Sequence, residues 1–353
     1  MTEQRQLVPA GQARPPFFVG VDLGGTNVKV GVVDDLGRPV SWLSIPTETK
    51  RGAADTTRRM GEAVKQTIRE SGVDPAKVVR VGLGSPGTMD IPAGKLVNPV
   101  NLKGRGWKGY HIRDRLKARC GKPVAFANDA AAAAYGEFWV GSGRKFRSLV
   151  LLTLGTGIGC GIIIHGLSID GEHSHGAECG HIIIDCTGDA RVCGCGQPGH
   201  LEAYASATGV IKRTEEALDA GRPSTLRRRI QKEEKKSEER RKGIPELVAI
   251  EAGAGDELAT EIVMETARYL GIGIVTLMHT VDPNGVLLGG AMTFGGKESP
   301  LGRQFLARIK KEVRDRAFAV LAENVKIDFA SLGGDAGFIG SAGIARLEYQ
   351  RLK

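Results

Sequence analysis

The sequence contains no long apolar run. No stretch approaches the roughly 20 apolar residues of a membrane-spanning helix, and the first 16 residues have no apolar core of the kind that a secretory signal needs. We therefore expect neither a membrane partner nor export. The 353 residues, 41% of them hydrophobic and 25% charged, are typical of a soluble globular chain that is long enough for two domains.

Cysteine is also sparse, with six residues in the whole chain. Three of them fall within residues 186–195, which is a cluster rather than a disulfide framework. Clustered cysteines in a chain of this size are typical of a metal site in a reducing compartment. The cysteine pattern therefore indicates a cytoplasmic protein.

Aromatic residues are absent from the most basic segment, residues 227–242. This excursion carries nine Lys or Arg and four Glu, so it supplies +5 of the net charge of +9. Because it has no aromatic side chain to stack on bases, it does not favour nucleic-acid binding. We expect a solvated helix or a mobile excursion, and no nucleic-acid partner.

Residues 171–206 combine the side chains of a metal site. Thiolate and imidazole groups suit zinc, which takes four such ligands in a tetrahedron. Glycine between the two cysteines permits the tight turn that brings both thiolates to one ion. The predicted ligands are His181, Cys193, Cys195 and His200. Because Glu178 and Glu202 bracket this set, we expect a metal-pinned loop that aims Glu178, His181 and Glu202 at a ligand.

Two segments share one pattern of strand, glycine loop and strand. In residues 17–45 apolar positions alternate on both sides of Gly24-Gly25-Thr26. In LVLLTLGTGIGCGIIIHG (149–166) the loop is Gly155-Thr156-Gly157. The backbone N–H groups of such loops can cradle phosphate oxygens. Two copies of one unit predict a duplicated architecture whose loops grip a polyphosphate from both sides.

Two further motifs lie at predicted strand ends. Asn128 and Asp129 follow a strand at 124–127 and open a helix. Both are good helix N-caps, but ligands in open α/β folds bind at the carboxyl ends of strands. Gly289 and Gly290 end another strand, where a glycine pair either admits a nucleotide base close to the backbone or only forms a tight turn.

Apolar periodicity places the helices along the rest of the chain. The predicted helical ranges are 51–71, 111–120, one from about 129, 200–220, 258–280, 301–321 and 337–352. Between them lie strands at 78–87 and in VKIDFASL (325–332), and a polar loop at 98–107. Strands and helices therefore alternate, as in an α/β protein.

In this order, the motifs resemble those of the ROK family of sugar kinases. DLGGTNVK (22–29) is similar to the first phosphate motif of the family, NDA (128–130) to its catalytic Asn-Asp pair, and LGTGIGCG (154–161) to its second phosphate motif. ECGH (178–181) and CGCGQPGHLEAYAS (193–206) resemble its signature region. The resemblance covers about residues 17–344 and rests on several motifs in the right order.

The resemblance implies a duplicated α/β fold of the actin-like ATPase (ribonuclease H-like) type, with two domains and a cleft between them. Residues 1–16 are then a disordered leader. A small α/β domain spans 17–127 and is joined by the C-terminal helix at about 338–353. A large α/β domain spans 128–337 and carries the zinc loop and the excursion. We also expect a homodimer or homotetramer.

The resemblance also implies roles for single residues. Asp129 is the general base that takes the proton from a sugar hydroxyl. Asp22 holds the Mg²⁺ of MgATP, and Gly289 and Gly290 lie by the adenosine. The sugar-binding set is Asn101, Asn128, Asp129, Glu178, His181 and Glu202. The phosphate-binding set is Gly24, Gly25, Thr26, Lys29, Gly155, Thr156 and Gly157.

One position departs from the family pattern, which usually has cysteine where this chain has His200. Histidine also ligates zinc, so a site of two histidines and two cysteines is chemically sound. Cys186 is the alternative fourth ligand.

The resemblance predicts an ATP-dependent hexose kinase, most like a glucokinase that makes glucose 6-phosphate. Alternatives are a kinase of another hexose (N-acetylmannosamine, mannose, fructose or allose) or an enzyme that uses polyphosphate as donor. Sugar-responsive repressors of the same family carry a DNA-binding domain before the first phosphate motif. Only 16 residues precede Phe17 here, which disfavours a repressor.

Overall fold

A computed structural model describes residues 6–99, 101–232 and 237–352. The strands are β1 Phe17–Leu23, β2 Asn27–Val33, β3 Pro39–Pro46, β4 Val78–Ser85, β5 Thr88–Asp90, β6 Lys95–Asn98, β7 Val124–Asn128, β8 Leu149–Leu154, β9 Ile158–Ile164, β10 Leu167–Ser168, β11 Gly285–Gly290 and β12 Lys326–Phe329. The helices are α1 Ala53–Glu70, α2 Ile112–Cys120, α3 Asp129–Trp139, α4 Leu201–Ala205, α5 Ala207–Asp219, α6 Leu226–Lys232, α7 Ser237–Lys242, α8 Ile244–Gly253, α9 Glu257–Val281, α10 Pro300–Arg316, α11 Ala319–Asn324 and α12 Ala336–Arg351.

The chain forms two compact units. Unit 1 comprises the described residues up to Phe146, together with Gly161–Ala177 and the described residues from Ser331 onward. Unit 2 comprises Arg147–Cys160 and Glu178–Ala330. Among the helices of the described residues, none combines the length and the apolar character that crossing a bilayer requires.

The strand order confirms the predicted duplication. One sheet runs β3-β2-β1-β4-β7 and the other β10-β9-β8-β11-β12. In the first, β1 pairs antiparallel with β2 and parallel with β4, and β4 pairs parallel with β7. In the second, β8 and β12 each pair parallel with β11. The glycine loops therefore occupy equivalent places, each following the central strand of its sheet.

Both faces of the unit 1 sheet are covered. Val19 and Val21 point to the face that packs with α1 and α2, whereas Phe18 points to the face covered by α12. This alternation follows from the two-residue period of a strand. α12 touches the sheet almost backbone to backbone, because a Cβ on Gly20 would lie only 1.7 Å from the carbonyl oxygen of Phe338.

The division of the chain differs from the prediction at α3. The predicted large domain spans 128–337, whereas α3, Gly161–Ala177 and the described residues from Ser331 onward belong to unit 1. For α3 the reason is its packing on α12, where a Cβ on Gly340 would lie 1.7 Å from the carbonyl oxygen of Ala132. α3 therefore belongs with α12, although the strand that follows it in the sequence, β8, belongs to unit 2.

The predicted disordered leader is wrong for the described part of residues 1–16. Val8 N–H donates to Pro39 O at 2.8 Å, and Arg14 N–H donates to the buried Asp34 carboxylate at 3.1 Å. The segment therefore continues the edge of unit 1. Residues 1–5 lie outside the described residues.

Two predicted helices are each interrupted. The helix predicted at 200–220 breaks at Ser206, whose backbone is extended and whose hydroxyl caps α5 by accepting from Gly209 N–H at 3.2 Å. The helix predicted at 301–321 ends at Arg316, because Phe318 N–H donates to His279 Nε2 at 3.2 Å instead of to a helix carbonyl. The first break is thus capped locally, whereas at the second a contact 39 residues away in sequence replaces a helical hydrogen bond.

Candidate functional site

Loop 1, residues 24–26, joins β1 to β2 in unit 1. Gly24 N–H donates to Asn27 O at 3.0 Å, which closes the turn. Within the described part of the chain, the N–H groups of Gly25 and Thr26 have no hydrogen-bond acceptor. Free N–H groups on a glycine turn are what an oxyanion such as phosphate requires.

Asp22 and Lys29 lie just below loop 1, as cross-strand partners on β1 and β2. Burial raises the pKa of the Asp22 carboxyl, and the Lys29 ammonium opposes this shift. The Asp22 carboxylate accepts no hydrogen bond from any residue that the structure describes, whereas Lys29 Nζ donates to Gly334 O at 2.5 Å. A partly buried carboxylate that accepts no hydrogen bond is suited to bind a cation.

The other predicted site residues of unit 1 lie at the same edge of the sheet as loop 1. The parallel strands β1, β4 and β7 all end here, with Asp22 beside Gly84 and Ser85 beside Asn128. Asp129 follows Asn128 directly, as the first residue of α3. The prediction that these residues lie at a strand-to-helix junction is confirmed.

Asn128 caps α3 and keeps a second contact. Its Oδ1 accepts from Ala130 N–H at 2.8 Å, and its Nδ2 donates to Gly87 O at 3.3 Å. The Asp129 carboxylate shares the same Ala130 N–H at 2.8 Å. Capping fixes both side chains, which is compatible with a further role in ligand binding.

Asn101 lies against loop 1. A Cβ on Gly25 would be 3.1 Å from the Asn101 carbonyl oxygen and 3.4 Å from the Asn101 Cβ. Asn101 has a left-handed backbone, with φ of 69°, which asparagine tolerates better than most residues. Unit 1 therefore brings together every predicted site residue that belongs to it.

Loop 2, residues 155–157, joins β8 to β9. Gly155 N–H donates to Gly157 O at 3.0 Å, and the N–H groups of Thr156 and Gly157 donate to no described residue. This arrangement matches that of loop 1. Gly289 and Gly290 lie beside it, because Gly290 pairs with Leu154 where β11 and β8 end.

Gly290 must be glycine in this structure. Its φ is +89°, and a Cβ there would lie 2.3 Å from Leu154 O. The pair of glycines therefore forms a close approach to the strand that leads into loop 2. The contact of this glycine pair with a nucleotide base stays a prediction from the sequence.

Glu202 lies between loop 2 and the predicted metal ligand Cys193, and it contacts both. Its Oε2 accepts from Ile158 N–H at 2.9 Å, and its Oε1 lies 3.6 Å from Cys193 Sγ. Gly157 is required beside it, since a Cβ there would be 2.2 Å from Glu202 Oε2. Glu178 is exposed and begins the turn that ends in His181, whose N–H donates to Glu178 O at 3.0 Å.

The four predicted metal ligands form one group, the metal cluster: His181, Cys193, Cys195 and His200. Their ligand atoms all lie within 4.8 Å of one another. The two histidines present Nδ1 atoms 3.2 Å apart, and each lies near a thiol, at 3.7 Å for Cys193 and 3.3 Å for Cys195. Cys186, the alternative ligand, is exposed and is not in this group. Among the described residues this is the one group of three or more His, Cys, Asp or Glu side chains that could hold a metal ion.

The electrostatics of the cluster indicate neutral ligands. Burial and the neighbouring His181 lower the pKa of His200, which favours the neutral imidazole that binds metals. Burial raises the pKa of the Cys193 thiol to about 11. A bound cation reverses that shift, since a coordinating thiol loses its proton.

Tyr204 contacts the chain around the metal cluster through both its hydroxyl and its ring. This role of Tyr204 was not predicted from the sequence. Its hydroxyl accepts from Arg191 N–H at 2.7 Å and donates to Asp185 Oδ2 at 2.6 Å. Its buried ring packs in one cluster with Cys193 and with Tyr269. A tyrosine within a helix that follows metal ligands was the available signal, but its partners lie 13 and 19 residues away.

Comparison with known proteins shows the relationships of the chain. A model of the ROK family matches residues 18–348. The chain is 31% identical to a glucokinase from Halalkalibacterium halodurans over 332 residues, which cover 94% of this chain and 95% of the relative. Among solved structures, a ROK hexokinase from Thermus thermophilus is 31% identical with a TM-score of 0.77, covering 95% of this chain and 99% of that one.

A ROK family glucokinase from Streptomyces griseus, solved in complex with glucose and AMPPNP, is 30% identical with a TM-score of 0.73. The match covers 94% of this chain and 99% of that one. The predicted actin-like ATPase fold is confirmed by these similarities. With a family model that spans almost all of the described chain and relatives of this similarity, the protein belongs to the ROK family.

Proposed function

We propose that the protein is an ATP-dependent glucokinase that phosphorylates the 6-hydroxyl of glucose. The glucokinase from H. halodurans and the S. griseus structure with glucose and AMPPNP support this assignment. The observation that carries it is the common edge of the unit 1 sheet, where Asp129 follows β7 and loop 1 follows β1. A general base and a phosphate-binding loop are the two parts that this chemistry needs most.

Asp129 is the proposed general base. A sugar hydroxyl is a poor nucleophile, and a positioned carboxylate that takes its proton increases the rate about 10²–10⁴-fold. Asn128 orients the hydroxyl beside it, and Asn101 adds a further sugar contact. Phosphoryl transfer otherwise depends on alignment and charge neutralisation, so the free N–H groups of loops 1 and 2 bind the phosphate oxygens.

Mg²⁺ fits the Asp22 carboxylate, which is partly buried and accepts no hydrogen bond from the described residues. Asp22 would hold the ion through water, and the ion would supply charge neutralisation for ATP. Lys29 adds positive charge on the neighbouring strand, and Gly289 and Gly290 are the proposed adenosine contacts.

The proposed metal of the cluster is zinc. Zinc bonds of about 2.0 Å to nitrogen and 2.3 Å to sulfur place tetrahedral ligand atoms about 3.3–3.8 Å apart. The observed contacts of 3.2, 3.3 and 3.7 Å match that spacing. Zinc would pin the loop so that the carboxylates of Glu178 and Glu202 present acceptors to neighbouring sugar hydroxyls and the remaining ring N–H of His181 presents a donor. Six free thiols in the described residues also agree with the proposed cytoplasmic location.

One assay tests the function and its alternatives. Initial rates are measured for glucose, mannose, N-acetylmannosamine and fructose, each with MgATP and with polyphosphate, and the product is identified by NMR. We expect glucose with MgATP to give the highest kcat/KM and glucose 6-phosphate as product. Mannose differs only at the 2-hydroxyl, so a site that binds this hydroxyl should discriminate against it. If another sugar has a higher kcat/KM than glucose, the glucokinase assignment is refuted. If no combination of sugar and donor gives phosphoryl transfer, the kinase assignment is refuted as well. The oligomer, proposed as a homodimer or homotetramer, is read from light scattering on the same sample.

A further inference from the structure

Loop 1 and loop 2 each have few hydrogen bonds of their own. Loop 1 has one backbone hydrogen bond of its own, Gly24 N–H to Asn27 O, and loop 2 has one, Gly155 N–H to Gly157 O. Glycine-rich turns lose much conformational entropy on ordering. The orientation of their free N–H groups must therefore be fixed by contacts from outside the loop.

In unit 1 this outside contact is Thr47, which follows β3. Its hydroxyl donates to Gly24 O at 2.7 Å, and its N–H donates to Thr26 O at 2.8 Å. A peptide group is planar and trans, so its C=O and N–H point in opposite directions. Because the Gly24 carbonyl is held towards Thr47, the N–H of Gly25 points away from it.

In unit 2 the equivalent contact comes from the start of α5. Ala207 N–H donates to Gly155 O at 2.9 Å, and the hydroxyl of Thr208 donates to Thr156 O at 2.8 Å. The same peptide geometry then points the N–H groups of Thr156 and Gly157 away from α5. These are the two N–H groups of loop 2 that have no acceptor among the described residues.

Both supporting threonines are themselves fixed. Thr47 is fully buried, and its carbonyl accepts from the Thr56 hydroxyl at 3.2 Å and from Arg59 on α1. Thr208 lies in the first turn of α5, which Ser206 caps. Each loop is thus tied to a helix of its own unit by a threonine hydroxyl.

We propose that Thr47 and Thr208 are positioning residues, which aim the N–H groups of the two loops at the phosphates of the nucleotide. The proposal rests on the proposed function, since it takes a nucleoside triphosphate as the ligand. Neither residue belongs to loop 1 or loop 2, so neither contributes one of the free backbone N–H groups that would bind phosphate. Their effect should appear in nucleotide affinity and not in sugar affinity.

Thr208→Val is the decisive variant, because the side chain is exposed and valine keeps its shape without the hydroxyl. We expect the KM for MgATP and the Kd for AMPPNP to rise roughly three- to ten-fold, the range that follows from one lost hydrogen bond. The KM for glucose and the unfolding temperature should stay at the wild-type values. Thr208→Ser retains the donor and should restore nucleotide affinity.

Thr280→Val is the matched control in unit 2. Thr280 is also an exposed threonine whose hydroxyl donates to a backbone carbonyl, Thr276 O at 2.7 Å, but it lies on α9. We expect wild-type nucleotide affinity from this variant. Thr47→Val and Thr47→Ser repeat the comparison in unit 1, and Thr208 decides the matter if the buried Thr47→Val fails to fold.

The outcomes separate the inference from the proposed function. If Thr208→Val binds AMPPNP as tightly as the wild type, or if Thr208→Ser is as impaired as Thr208→Val, the positioning role is refuted. A wild-type protein that neither binds AMPPNP nor phosphorylates any of the four sugars would instead refute the proposed function. A Thr208→Val variant that loses glucose affinity to the same extent would show a general structural role.

Discussion

At the scale of single residues, one substitution of Asp129 should reduce catalysis without affecting folding. Asp129→Asn keeps the shape of the side chain and an oxygen that can accept from Ala130 N–H, as the carboxylate does at 2.8 Å. The amide cannot take a proton, so we expect kcat to fall about 10²–10⁴-fold with little change in unfolding temperature. Steady-state kinetics beside a thermal melt measure both. Asp114→Asn, on the exposed side of α2, is the control, and near-normal turnover of Asp129→Asn would exclude it as the base.

Glu137 is a buried carboxylate with a structural role in unit 1. It is fully buried and accepts five hydrogen bonds, from the N–H and hydroxyl groups of Ser142 and Ser331 and from Leu332 N–H, at 2.6–3.1 Å. Glu137→Ala leaves these donors unpaired, so we expect the free energy of unfolding to fall by about 3 kcal/mol or more. Urea denaturation measures this. Glu323→Ala, an exposed glutamate on α11, should change it little, and equal stability of the two variants would contradict the prediction.

The residues that sequence reasoning found and those that it missed differ in a physical way. The grouping of the metal cluster and the position of the Asn128-Asp129 pair at a strand end were predictable because the signals for them are local in sequence. Glu137 and Ser331 lie 194 residues apart, and Thr208 and Thr156 lie 52 apart. No local pattern indicates such pairs. The one available signal for Glu137 was a charged residue in the otherwise apolar AAAAAYGEFW (130–139).

At the scale of elements, the loop that carries the metal cluster should depend on its ion. Zinc binding to such a site contributes to folding, so Cys193→Ser should reduce bound zinc well below about one ion per chain and lower the unfolding temperature. His200→Cys restores the usual family ligand, and it should keep zinc because thiolate is an equally good ligand. Elemental analysis of protein purified without added metal measures both variants. Zinc-free wild-type protein with full activity would contradict the proposed site.

The charged excursion should be dispensable for turnover with MgATP. Its described residues lie in α6 and α7, and ion pairs join Arg229 to Glu251 and Arg241 to Glu215. Residues 233–236 lie outside the described residues. The Arg241–Glu215 pair is largely exposed, and such pairs contribute little to stability. Glu251 is buried but also accepts from the Thr225 hydroxyl, which lies outside the excursion. Shortening the segment should therefore leave kcat within about three-fold. A folded variant with much lower activity would show that the excursion supports the active site or an interface.

Element boundaries were predictable where local signals control them. α9 occupies Glu257–Val281, close to the predicted range, because Asp256 caps it by accepting from Ala259 N–H at 2.9 Å. The break at Ser206 was not predicted, since the chain there turns so that Ala207 can bind Gly155 O. A helix propensity cannot indicate a bond that is made to another segment.

At the scale of the whole molecule, the packing of α12 onto α3 should dominate the stability of unit 1. Gly340→Ala places a Cβ 1.7 Å from the Ala132 carbonyl oxygen, so we expect a loss of about 1–3 kcal/mol in the free energy of unfolding. Gly253→Ala, on α8, meets no atom within 4 Å. It should instead stabilise the protein by up to about 1 kcal/mol, because alanine favours a helix. Chemical denaturation of both variants is the measurement, and equal effects would contradict this account.

The place of α12 in the chain has a consequence for biosynthesis. β1 leaves the ribosome long before the helix that covers its Phe18 face, because α12 is translated after all of unit 2. The nascent chain must therefore carry an uncovered apolar sheet face while Arg147–Cys160 and Glu178–Ala330 are being made. Domains fold as units during synthesis, and exposed apolar surface promotes aggregation. Unit 2 is thus able to fold before α12 has been made, whereas unit 1 completes its core only after α12 has left the ribosome, and chaperones have the longest time to act on its first strands.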